Sequence, residues 1–235
     1  MRRLAPSSVL LLLLCSVMPT WSCADTITYV NWTSSTGPVA NTGTVTGTLF
    51  GSLNVTYSGE LQFAQKGTTS SPWIGYLPAS TWESALVSNA PPNAQIVAID
   101  GLTGFTDTVT FSSPVNNLFM DIVSLGQGGV GTNYTFSSPF TILNIGPSAE
   151  YGGGATSLSK SGNTLTGHEG DGVIEFAGPI SSLSWTAATP EFWNGFTFGA
   201  DSPATSVVPE PAYPLLIIST GLIAVGLKRW RATAK

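Results

Sequence analysis

The chain has 235 residues, of which 42% are hydrophobic and only 9% charged, with a formal net charge of −5. Between residues 25 and 207 the acidic residues run from Asp25 to Asp201 and the only basic ones are Lys66 and Lys160, a balance that repels nucleic acid and anionic lipid and excludes nucleic-acid binding. The two cysteines, Cys15 and Cys23, both lie close to the N-terminus, so no disulfide framework holds the remainder.

Residues 1–24 have the pattern of a secretory signal peptide. Arg2 and Arg3 form a short positive region, Val9 to Leu14 is an uncharged apolar run, and the small residues Ser22 and Ala24 precede a plausible cut before Asp25. The apolar run is too short to span a bilayer. Both cysteines fall inside this segment, so the exported chain is expected to carry no thiol. The Thr20-Trp21-Ser22 context argues against lipid attachment at Cys23.

From residue 25 onward the pattern is mostly alternating. TITYVNW, GTVTGTLFGSLNVTY, DTVTFSS, NLFMDIV, TNYTFSS, FTILNI, NTLTG, GVIEFAG, SSLSWTA and NGFTFG are strand-length runs separated by Gly, Pro, Asn and Ser. They predict an all-β, antiparallel β-sandwich or jelly-roll-like single domain over 25–201. One short helix is expected at about 81–88, where Ser80 and Glu83 stand at capping-box spacing before Trp82, Leu86 and Val87, and Pro91-Pro92 ends it. A Pro-rich linker is expected over 202–211.

Residues 212–227 carry no charge and are expected to form a transmembrane helix. At ~1.5 Å per residue they cover ~24 Å of a ~30 Å hydrocarbon core, and flanking Lys and Arg can snorkel toward the headgroups. Pro214 sits in the first turn, where a helix tolerates it. Lys228, Arg229 and Arg231 in the tail 228–235 act as a membrane stop and favour the cytoplasmic side, which places the body outside, as the signal peptide also requires. The tripartite order Val208-Pro209-Glu210-Pro211, apolar helix, basic end resembles the PEP-CTERM sorting segment. That resemblance covers about the last 28 residues. It implies recognition and cleavage near the Pro-Glu-Pro by an exosortase-type membrane peptidase, in bacteria that make exopolysaccharide. The phrases NNLFMDIVSLGQ, LTGHEGDGVIEF and SLSWTAATPEFWNGFTFG also resemble exported PEP-CTERM proteins of unassigned role.

Candidate chemistry within the body is sparse. His168, Glu169 and Asp171 in GHEGDG offer the one run that could ligate a divalent cation, although a polar turn is the preferred reading. One His and no exported Cys cannot supply a usual zinc shell, and no spaced calcium loop occurs. Asp121, Glu175 and Glu191 are the acids available for paired-carboxylate catalysis, but nothing in the sequence pairs any two. QGGVG and YGGGA lack the following Lys of a phosphate loop. Trp73, Tyr76 and Trp82 form one aromatic group, and Trp185, Phe192, Trp193 and Phe196 another. Trp185 is expected to point inward, and Trp193, Trp73 and Tyr76 are the candidates for a glycan platform, with Trp193 the most exposed.

These observations predict an exported, non-enzymatic envelope or matrix protein with a structural or adhesive role and no cofactor. Its expected partners are the exosortase-type peptidase, exopolysaccharide and the membrane through the C-terminal helix. The expected location is a membrane-anchored precursor that is then displayed at the cell surface or released. The alternatives are a secreted carbohydrate-binding module and a jelly-roll glycosidase-like enzyme.

Overall fold

A computed structural model describes residues 24–66 and 75–204. Successive side chains of a strand point to opposite faces, so the alternating sequence produces strands with one buried side. The strands are β1 Thr28–Tyr29, β2 Asn31–Val39, β3 Thr42–Leu49, β4 Leu53–Glu60, β5 Phe63–Gln65, β6 Ile96–Ile99 and β7 Asp107–Leu125. They continue as β8 Thr132–Phe136, β9 Thr141–Ser148, β10 Gly152–Gly153, β11 Leu158–Ser161, β12 Thr164–Gly167, β13 Gly170–Ala187 and β14 Asn194–Pro203. The fold is all-β and every pairing between these strands is antiparallel. The described residues up to Pro203 belong to one compact unit.

Two long strands organise the rest. β7 and β13 pair along almost their whole length, and each changes its outer neighbour midway. Asp107–Phe111 of β7 lies between β4 and the second half of β13, whose other side carries β8. Val115–Val123 of β7 lies between β14 and the first half of β13, whose other side carries β9. The change of partners coincides with Pro114, Gly178 at φ 88° and register shifts at Phe176/Pro179 and Ile180/Ser182. Such irregularities bend a strand and let it run through two sheets. One half is ordered β2-β3-β4-β7-β13-β8-β12-β11, and the other runs β10-β9-β13-β7-β14-β6-β5 with β1 also on β14.

Aromatic rings fill the space between the halves. Tyr57 on β4 meets Phe196 on β14 at 5.5 Å between centroids, Trp185 on β13 meets Phe196 at 5.2 Å, and Phe136 on β8 meets Phe176 at 5.0 Å. Trp185 is buried, as its alternation with Leu183 predicts. This face-to-face arrangement agrees with the expected sandwich. Leu118, Met120 and Ile122 of β7 point into that main core, whereas Phe119 and Val123 on the opposite face pack under the N-terminal strand and residues 76–96. β7 is therefore buried on both sides from Leu118 to Leu125.

The expected helix at 81–88 does not form. The segment holds one 3-10 turn, Ala79–Thr81, preceded by Pro78 with no side-chain cap. Tertiary hydrogen bonds take the groups a helix would use. Asn144 Nδ2 donates to the carbonyls of Ser80 and Glu83, at 2.7 and 2.8 Å. Ser84 Oγ accepts from the N–H groups of Leu86 and Val87, and Asp25 pairs with Val87 as an isolated parallel bridge. Trp82 is sealed inside by its Nε1–H donating to the Ile122 carbonyl at 3.0 Å. Two further differences concern strand extent. GTVTGTLFGSLNVTY is not one run but the hairpin of β3 and β4, reversed at Phe50 and Gly51, both at positive φ. β14 reaches Pro203, two residues into the expected linker.

Residues 1–23, the Pro-Glu-Pro motif, the apolar segment 212–227 and the basic tail lie outside the described residues. Among the described residues no helix is long and apolar enough to cross a membrane.

Candidate functional site

The densest polar chemistry lies where several loops meet, and Glu191 joins them. It follows Pro190 in the short connection from β13 to β14, a segment too rich in turn residues to continue either strand. Its N–H donates to the Asp100 carbonyl at 2.7 Å, and its Oε1 accepts from Gly126 N–H and Asn194 Nδ2, both at 2.8 Å. Burial pushes this carboxyl up to about 7 against the pull of those donors and Thr132, and the charge of Glu169 adds to the rise.

Gly126 is the point where the loops touch. Its φ is 80° and a Cβ there would lie 2.0 Å from the Gly167 carbonyl oxygen, so only glycine fits. Its own carbonyl accepts from Glu169 N–H at 3.0 Å. Two residues earlier Ser124, at φ 53°, donates its Oγ–H to Glu169 Oε2 at 2.8 Å, while its N–H donates to Asp171 Oδ1 at 2.9 Å. Glu169 is itself at φ 54°. Non-glycine residues in this region are strained and persist only where their surroundings over-determine them. Burial raises Asp171 to about 7, opposed by Ser124 and Ser148.

A second buried acid pair continues the network. Tyr57 O–H donates to Asp107 Oδ1 at 2.7 Å, and the same oxygen accepts from Glu60 N–H at 2.7 Å. Glu60 holds the 100–102 loop by accepting from Asp100 N–H and Leu102 N–H, each at 2.9 Å. Tyr134 O–H donates to Asn194 Oδ1, which links back to Glu191. Burial raises Glu60 to about 7 and Asp107 to about 6.

His168, Glu169 and Asp171 do not converge as a ligand set. His168 is exposed beside Gly131, while Glu169 and Asp171 are both engaged by Ser124. Among the described residues no group of three or more His, Cys, Asp or Glu residues is placed to hold a metal ion. The acids Asp121, Glu175 and Glu191 are also kept apart. Asp121 is fully buried on the second face of β7, Glu175 lines an open groove of about 350 Å³ with Phe140, Lys160 and Ile180, and Glu191 sits in its loop. Among the described residues neither Asp121 oxygen has a hydrogen-bond partner, and burial holds this carboxyl well above the usual carboxylate range.

The aromatic candidates are redistributed. Tyr76 is 1% exposed and packs edge-on to Trp82 at 5.1 Å, so it belongs to the core and not to a platform. Trp193 is half-buried between Phe63 at 5.7 Å and Tyr151 at 5.1 Å. Trp73 lies outside the described residues. The exposed ring is its neighbour Phe192, at 79%. It is the one aromatic side chain classed as exposed among the described residues. Period-two reading of PEFWNGFTFG misses this because Phe192 precedes the strand. The burial of Asp107 and Asp121 escapes a reading that places such acids on a solvated strand face, although the signal exists: Asp107 shares its face with Val109 and Phe111, and Asp121 with Phe119 and Val123.

No protein-family model, curated protein or solved structure matches the chain.

Proposed function

We propose that this chain is an exported, non-enzymatic envelope or matrix protein with a structural or adhesive role, sorted through its C-terminal tail. The observation that carries the reading is the ordered tail of Val208-Pro209-Glu210-Pro211, the uncharged stretch 212–227 and Lys228, Arg229 and Arg231, matched by an export signal at the opposite end. The tail serves first as a membrane stop and then as the substrate of an exosortase-type peptidase. The body is a β-sandwich of jelly-roll type, displayed outside the cytoplasm. Its composition supports the reading: an acidic, Ser- and Thr-rich all-β unit with no cysteine after residue 23 needs neither a reducing nor an oxidising compartment to stay folded. No catalytic role is proposed, because Asp121, Glu175 and Glu191 lie in three separate surroundings.

Intact-mass measurement on the protein recovered from the envelope and the medium of its host tests this. The expected species begins near Asp25 and ends near Pro209 to Pro211. A species that begins near Asp25 but keeps Lys235 refutes processing and leaves a permanently anchored body. A species that keeps Met1 refutes export by signal cleavage.

A further inference from the structure

Among the described residues one aromatic ring stands exposed, on a braced loop. Phe192 follows Pro190 and Glu191, and the loop is fixed on each side of it. Glu191 is bound through both its N–H and its carboxylate, the Phe192 carbonyl accepts from Gln62 Nε2 at 3.1 Å, and Trp193 is wedged between Phe63 and Tyr151. Neighbouring loop 126–131 is tied to the same segment by Gly126 to Glu191 and by Thr132 Oγ1 to the Thr189 carbonyl at 3.1 Å. A loop braced this firmly loses little backbone entropy when something settles on its exposed ring.

Size and charge select the occupant. One aromatic side chain presents roughly 150–250 Å², well below the roughly 800 Å² per partner of a stable protein interface. It matches the apolar C–H face of a single sugar ring. Gln127 of the neighbouring loop is exposed and Gln62 half-exposed, Val130 of the same loop is 53% exposed, and the Glu191 carboxylate is already engaged by Gly126 and Asn194. The ionisable groups named above in this loop network are acids, and the whole stretch 25–207 has only Lys66 and Lys160 as lysine or arginine cations. A polyuronate or an anionic membrane is therefore repelled, and an uncharged chain is not.

We propose that the Phe192 ring is the stacking platform of a binding site for an uncharged polysaccharide. This deepens the adhesive part of the reading above by naming the ligand class, and it is independent of whether the tail is cleaved. The test is native affinity electrophoresis of the full chain in a polyoxyethylene detergent, which itself offers no sugar ring. The gels contain hydroxyethylcellulose, a soluble β-1,3-glucan or galactomannan, with alginate as the anionic comparison. The expected result is retardation by at least one neutral polymer and none by alginate, with Phe192→Ala weakening retardation at least tenfold and Phe192→Trp retaining it. Unchanged thermal unfolding of Phe192→Ala shows that the loss is local. Retardation by no neutral polymer, equal retardation of Phe192→Ala, or stronger retardation by alginate each overturns the proposal. A Phe192-dependent dimer in sedimentation, without glycan retardation, also overturns it and assigns the ring to self-association. None of these results alters the intact-mass outcome, so the two proposals fail separately.

Discussion

Replacing Asp121 by Leu is expected to stabilise the body, and by more as the pH rises. Asp121 sits on β7 opposite Val173 and Thr197, fully buried, with neither oxygen hydrogen-bonded among the described residues. Leu keeps the branch at Cγ and replaces both oxygens by methyl groups. Even as the neutral acid, an unsatisfied buried carboxyl costs about 1–3 kcal/mol. Overpacking by the larger methyl groups costs about 1–3 kcal/mol, so before any pH term the two cancel to within about 2 kcal/mol. The pH term adds to this. Burial raises the folded-state pKa, so the folded protein holds a proton that the unfolded chain has released. This contribution is fully present below the unfolded-state value and is lost as pH rises. While the folded carboxyl stays protonated, each pH unit above the unfolded-state value costs wild type about 1.4 kcal/mol, a cost that Asp121→Leu does not have. Denaturant unfolding of the full chain at pH 5, 6 and 7 reads the difference directly. The gap between variant and wild type is expected to widen at each step. Parallel pH profiles would refute the reasoning. So would a loss of 2 kcal/mol or more in Asp121→Asn at pH 7, because that isosteric change is free of overpacking and would mean that the carboxylate is ionised and partnered.

The other expectations follow the same network and core. Wild type itself is expected to unfold at a lower temperature at pH 8 than at pH 5, because Glu60, Asp171 and Glu191 at about 7 and Asp107 at about 6 all favour protonation in the folded state; calorimetry across that range checks it. Glu191→Gln keeps the acceptor for Gly126 and Asn194 and removes one titrating group, so its melting temperature is expected to vary less with pH than that of wild type. Gly126→Ala is expected to cost more than ~2 kcal/mol in denaturant melts, since the added Cβ meets backbone oxygen at positive φ. Trp185→Ala removes the ring that touches Tyr57, Tyr134, Phe136, Phe196 and Phe198, and a loss of about 3–5 kcal/mol in the same assay is expected.

By itself the sequence determined the fold class. Period-two alternation is a local property, written into residues such as Val109, Phe111, Leu183 and Trp185, and a strand can place such a pattern in only one way. It also carried the expectations of export and sorting, which rest on short linear segments at the two ends. Only the tertiary structure decided what the segment from Pro78 to Ser88 became, because Asn144 and Ile122 on distant strands and Asp25 ahead of β1 reach it and occupy the groups of an otherwise reasonable helix. The same holds for the merging of separate runs into β7 and β13, which depends on bulges that take shape only when partners change. Exposure was the least legible quantity. Trp193 and Phe192 are adjacent and chemically alike, yet Phe63 and Tyr151 cover one and leave the other in solvent. At such a loop position burial is set by what arrives from elsewhere in the chain, and no strand alternation is present to encode it.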